Sequence, residues 1–284
     1  MGARCLMENF ADYLTRAITE KNSRVVVGLD PHGDLMPPHL NAGPDWAQQA
    51  EAIVEFNQTI IDQVKDHVVA VKPQLAFYER LGSWGFKALE ETITMAKTAG
   101  LLVILDGKHN DIGSTAEAYA QAYLGQSPLT GDALTVNAYL GEDGIKPFLQ
   151  YPGKGIFCLV KTSNPSAANL QDLLILGEPL YLHLARMLAQ WGAPTVGRSG
   201  YHSLGIVVGA TYPRMAALLR QELPQTIFLV PGFGHQGGGI ADILPCFHPD
   251  GQGAIINSSR GIIFAYREKG YEPHKFGQAA GEAA

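Results

Sequence analysis

Short apolar runs recur along the whole chain, at residues 25–29, 68–72, 101–105, 133–137, 156–160, 205–208, 227–230 and 254–257. Each is rich in Val, Ile and Leu and stops at Gly, Pro or a polar residue. That pattern predicts a strand buried on both faces. Between most of them the apolar positions change to helical spacing, at 46–64, 84–99, 114–124, 180–191 and 212–222. Buried strands alternating with helices predict an α/β protein with a parallel sheet. Eight such units within 284 residues fit a (β/α)8 TIM barrel, one domain over residues 1–284. An open doubly wound sheet is the alternative that the same pattern allows. No Pro/Ser-rich linker divides the chain, and nothing repeats beyond the strand–helix alternation. After about Arg267 the sequence is rich in Gly, Ala and Glu, and this tail is expected to be loosely ordered.

Composition narrows the function. Hydrophobic residues make up 46% of the chain and charged residues 17%, which suits a globular protein with a substantial core. A net charge of -6 argues against a nucleic-acid partner, which would call for a basic surface. The three cysteines, Cys5, Cys158 and Cys246, are far apart. They show neither zinc-ligand spacing nor a disulfide framework, so reduced thiols are expected. The chain has no apolar run of membrane-spanning length and no signal core within residues 1–12. The expected location is therefore the cytoplasm, with no membrane partner.

Barrel active sites gather at the C-terminal ends of the strands. In order, those ends offer Asp30, Lys72, Asp106 with Lys108, Asn137, Lys161 with Thr162 and Ser163, Thr211, the glycine-rich segment 231–239, and residues 257–260 ending in Arg260. A single charge there would be an ordinary solvated loop residue. Charges ending three successive apolar runs point to a site.

The densest segment is Asp106-Gly107-Lys108-His109-Asn110-Asp111. In an extended chain Asp106 and Lys108 point to one side, and Asp111 follows where the next helix starts. Ser114 is placed to cap that helix, with Glu117 completing a capping box. The expected cluster is a lysine between two carboxylates, and opposite charges favour the protonated lysine, which can serve as an acid. A salt-bridge network at a barrel rim would show the same spacing. His109 and His235 have no evident carboxylate partner and read as loop residues.

Residues 232–237 match GxGxxG. A dinucleotide site would need an acidic residue about twenty positions on, at the end of the next strand; that strand ends near Asn257 instead. In a barrel, loops after the seventh and eighth strands commonly bind phosphate. Backbone N–H groups, Gln236 and the planar cation of Arg260 could supply the donors. A flexible glycine turn beside a solvated arginine is the alternative.

These landmarks, in this order, resemble the orotidine 5'-phosphate decarboxylase family in its longer-chain branch. They are Gly28-Leu29-Asp30-Pro31, Val71-Lys72-Pro73-Gln74, Leu105-Asp106-Gly107-Lys108 through Asp111-Ile112-Gly113-Ser114-Thr115, Lys161-Thr162-Ser163-Asn164-Pro165, Val208-Gly209-Ala210-Thr211, Pro231-Gly232-Phe233-Gly234-His235-Gln236, and Asn257-Ser258-Ser259-Arg260. The resemblance implies decarboxylation of orotidine 5'-phosphate to UMP in pyrimidine biosynthesis, without metal or organic cofactor. It implies a charged tetrad of Lys72, Asp106, Lys108 and Asp111, with Lys108 stabilising and protonating the C6 carbanion. It also implies a homodimer in which Asp111, Ile112 and Thr115 reach across the interface. Asp30 would hold a ribose hydroxyl and Ser163 the pyrimidine. Pro231 would border the substrate, with Gln236 and Arg260 on its phosphate. Two rivals share part of this pattern: a sister barrel that handles sugar phosphates with Mg2+, and a non-catalytic nucleotide-binding barrel.

Overall fold

The computed structural model describes residues 8–234 and 238–284. Eight parallel strands close into a barrel: β1 (Val25–Leu29), β2 (Ala70–Pro73), β3 (Leu102–His109), β4 (Ala133–Val136), β5 (Gly155–Lys161), β6 (Leu204–Val208), β7 (Phe228–Pro231) and β8 (Ala254–Ser258). Each pairs with its neighbours in sequence, and β8 closes on β1. All eight apolar runs became strands, with ends displaced by a few residues. The closed order excludes the open sheet. The five expected helices are Trp46–Val64, Gly82–Thr98, Gly113–Leu124, Leu180–Gly192 and Pro213–Glu222. Among the described residues no helix is long and apolar enough to cross a membrane. Cys158 and Cys246 are buried free thiols; Cys5 lies outside the described residues.

Side chains alternate across each strand, and this decides where the chemistry sits. One residue per strand (Val26, Ala70, Ile104, Ala133, Phe157, Val207, Leu229 and Ile255) joins an apolar cluster that also holds Phe10, Leu14 and Ile18. These last three belong to the helix Phe10–Lys21, which packs on the inner cluster of the barrel. The Phe10 and Phe157 rings meet edge to face at 5.9 Å. Gly205 makes room for Phe157, because a Cβ there would lie 2.4 Å from its ring. Two residues beyond this floor, the same strand faces carry Lys72, Asp106, Thr135 and Asn257. Period-2 alternation thus sets a polar layer on an apolar one.

The tail after Arg267 is ordered, contrary to expectation. Residues Phe276–Ala283 form a helix whose Phe276, Ala279 and Ala280 are buried. Phe276 stacks on Phe56 of the helix Trp46–Val64 at 5.2 Å. A Cβ on Gly277 would come 2.7 Å from Thr59, and one on Gly281 3.1 Å from the Gln63 carbonyl. The small residues that suggested looseness are what let the two helices approach closely.

His202, just before β6, is 3% exposed, with Nε2 3.0 Å from the Thr226 hydroxyl. Burial lowers its pKa from 6.5 to about 4. The unfolded chain therefore binds a proton that the folded chain refuses between those values. The contribution is complete above pH 6.5 and is lost as pH falls towards 4, at a cost on the order of 3 kcal/mol. Urea midpoints at pH 7 and pH 4.5 should differ less in His202→Leu than in the wild type. An equal drop in both would assign the acid sensitivity elsewhere.

Candidate active site

Asp106 is the centre of the barrel mouth. It is 7% exposed and accepts hydrogen bonds from Lys72 Nζ (2.5 Å, to Oδ2), Lys108 Nζ (2.6 Å, to Oδ1) and the Thr135 hydroxyl (2.9 Å, to Oδ1). Burial would raise its pKa, but the charges of Lys72 and Lys108 outweigh it and hold the carboxyl well below the usual carboxylate range. Burial would likewise lower the Lys72 pKa. The negative charges of Asp106 and then Asp30 outweigh it, and the net direction is upward. Lys72 and Asp106 therefore stay ionised through neutral pH. Two unit charges about 4 Å apart attract by roughly 4 kcal/mol at an effective dielectric near 20, and attraction of that order offsets part of the cost of burying the charges.

Lys108 reaches this position through an irregular backbone. β3 pairs regularly with β4 up to Leu105↔Leu134, and the next pair is His109↔Val136, so β3 advances four residues where β4 advances two. Within that bulge Lys108 has φ +51, a left-handed conformation unfavourable for a residue with a Cβ. Such strain collects at functional sites. Thr135 holds the bulge, accepting the Lys108 backbone N–H at 2.9 Å while donating to Asp106. The strand-end reading passed over Thr135 and named Asn137. The signal was there: Thr135 lies two residues after the inward Ala133.

The expected lysine between two carboxylates is inverted in the single chain: one carboxylate lies between two lysines. Asp111 makes no ion pair among the described residues, and its Oδ1 accepts the Ile112 N–H at 2.8 Å. It lies past the end of β3, with Ile112 54% exposed and Thr115 exposed. The Ser114 cap is also corrected. Gly113, at φ +54, starts the helix with Ile112 as N-cap and no side-chain cap bond, so Ser114 falls inside the first turn. His109 ends β3, with its ring 4.5 Å from that of Tyr119 and 4.8 Å from that of Tyr123. It is a packing residue, and burial lowers its pKa.

Around the array, Asp30 Oδ1 and Asn257 Oδ1 are buried acceptors without a hydrogen-bond partner among the described residues. Orphaned buried acceptors at a barrel mouth fit a ligand carrying hydroxyl or amide donors. Gly28 leaves room for Ser259 beside them; a Cβ would lie 1.8 Å from the Ser259 hydroxyl. Ser163 is half-buried on the loop after β5, close against Gly209. Pro231 ends β7, its carbonyl accepting the Ala210 N–H at 2.9 Å. Arg260 is exposed and opens the short helix Arg260–Ile263 after β8. Gly232 and Gly234 take positive φ in the loop after β7. His235 and Gln236 lie outside the described residues. No three or more His, Cys, Asp or Glu side chains among the described residues are grouped to hold a metal ion.

Comparison with known proteins places the chain in a family. The model of the "Orotidine 5'-phosphate decarboxylase / HUMPS family" matches residues 23–270. The orotidine 5'-phosphate decarboxylase of Rhodopirellula baltica is 44% identical over 274 residues, covering 93% of this chain and 91% of its own. That of Halorubrum lacusprofundi is 42% identical, with 97% and 96% covered. The structure of Leishmania donovani OMP decarboxylase superposes with a TM-score of 0.76 at 33% identity, covering 95% of each chain. This chain belongs to the orotidine 5'-phosphate decarboxylase family.

Proposed function

We propose that the chain is the decarboxylase itself, converting orotidine 5'-phosphate to UMP in cytoplasmic pyrimidine synthesis without metal or organic cofactor. The observation that carries this reading is the Lys72–Asp106–Lys108 array, fixed over an apolar floor. When the bond from C6 to the carboxylate carbon breaks, the electron pair stays on C6 and CO2 leaves. An ammonium already held in place stabilises that charge without reorganising. Lys108 is the half-exposed lysine of the array. It faces the growing charge, gives its proton to C6 and is reprotonated from solvent. Lys72 is buried and fixes Asp106. Asp106 lies beside the substrate carboxylate, and its repulsion is relieved as CO2 departs.

The remaining contacts orient the nucleotide. Asp30 takes a ribose hydroxyl and Ser163 the pyrimidine. Pro231 borders the substrate, and Gln236 and Arg260 hold the phosphate. The active unit is a homodimer: the partner subunit's Asp111 completes the tetrad, with the partner's Ile112 and the partner's Thr115 beside it. The exposure of Ile112 and Thr115 supports this.

The test is the fall in ultraviolet absorbance of orotidine 5'-phosphate with chelator-treated protein in excess EDTA. Turnover is expected. Turnover only of a hexulose or keto-acid phosphate with Mg2+ would replace this reading with the sister barrel. Arg260→Ala should weaken UMP at least about tenfold, as loss of a charge-assisted phosphate contact does. Unchanged affinity would move the phosphate site.

A further inference from the structure

Lys161, the last residue of β5, is a second buried lysine at the barrel rim, and the charge array does not use it. It is 0% exposed. Its Nζ lies 2.6 Å from Asp172 Oδ1, with the Tyr212 ring centroid at 4.7 Å and that of Tyr181 at 5.7 Å. Beside this pair, Gln171 clasps Thr162 twice. Its Oε1 accepts the Thr162 N–H at 3.0 Å, and its Nε2 donates to the Thr162 hydroxyl at 2.8 Å. That hydroxyl donates in turn to Asn164 Oδ1 at 2.6 Å. Residues 161–162 and 171–172 are thereby tied side by side, closing the base of the loop between them. Ser163 is the first residue past the tie.

A fully buried ammonium is costly, and a well-packed apolar side chain usually serves stability as well or better. Its use here calls for a geometric reason. Ion pairs and paired hydrogen bonds fix direction in a way that apolar contacts do not. We propose that Lys161 is a positioning residue, which through Asp172 and the Gln171 clasp sets Ser163 against the pyrimidine. This rests on the reading of Ser163 as the pyrimidine contact.

The experiment is titration of the full-length protein with UMP and with ribose 5-phosphate, which lacks the base. Lys161→Met should weaken UMP roughly tenfold and leave ribose 5-phosphate unchanged, with Lys161→Arg recovering part of the loss. Lys161→Met combined with Ser163→Ala should bind UMP no worse than Ser163→Ala alone, the non-additivity of residues acting through one contact. Should Lys161→Met fail to fold, Gln171→Ala carries the same test, with about a threefold loss for UMP alone. Equal losses for both ligands, additive losses, or wild-type UMP binding by a folded Lys161→Met would overturn the proposal. If Ser163→Ala binds UMP normally, the pyrimidine contact itself is refuted and the proposal falls with it. If Ser163→Ala is weak while Lys161→Met is normal, only the proposal falls.

Discussion

Replacing Lys108 by alanine is expected to lower kcat by about 10^4-fold or more, combining the ranges for a lost proton donor and a lost charge stabiliser. In barrier height that is at least about 5 kcal/mol of activation free energy. The fold should survive, because the Lys108 side chain is 45% exposed and Asp106 keeps Lys72 and Thr135. UMP affinity should change far less than kcat, since the developing charge exists only in the transition state. The check is single-turnover kinetics beside a thermal melt. Near-normal turnover by a folded variant would remove Lys108 from the chemistry.

The second large effect concerns the dimer. Asp111→Ala and Lys72→Ala should each be nearly inactive as homodimers. Co-expressed, they should form heterodimers in which one site draws Lys72 from one subunit and Asp111 from the other, both intact. With random pairing, half the dimers carry one working site of two, so about a quarter of wild-type activity should return. Activity no higher than that of either parent, with heterodimers demonstrated by tagging, would mean that Asp111 serves its own chain.

The barrel was readable from sequence because its signals are local. β-rich apolar runs and helical spacing each act over a few residues, and the strand ends marked Lys72 and Asp106. What sequence left hidden depends on contacts between distant segments. The bulge that puts Lys108 at φ +51 is held by Thr135 on the next strand. The inversion of the charge cluster depends on β3 ending at His109, before Asp111. The tail looked loose because Gly and Ala carry little hydrophobic signal, yet their smallness suits them to pack on the helix that carries Phe56 and Thr59. Lys161 was visible at a strand end, but its burial depends on Asp172, Tyr181 and Tyr212, the nearest of them eleven residues away.

A crystal structure of the dimer with UMP bound would probe the central claim most directly. Lys108 Nζ should lie within about 3.5 Å of pyrimidine C6, the separation of a reactive pair, with Asp106 still between the two lysines. A nucleotide seated with C6 away from Lys108, or the lysine swung out into solvent, would contradict the account.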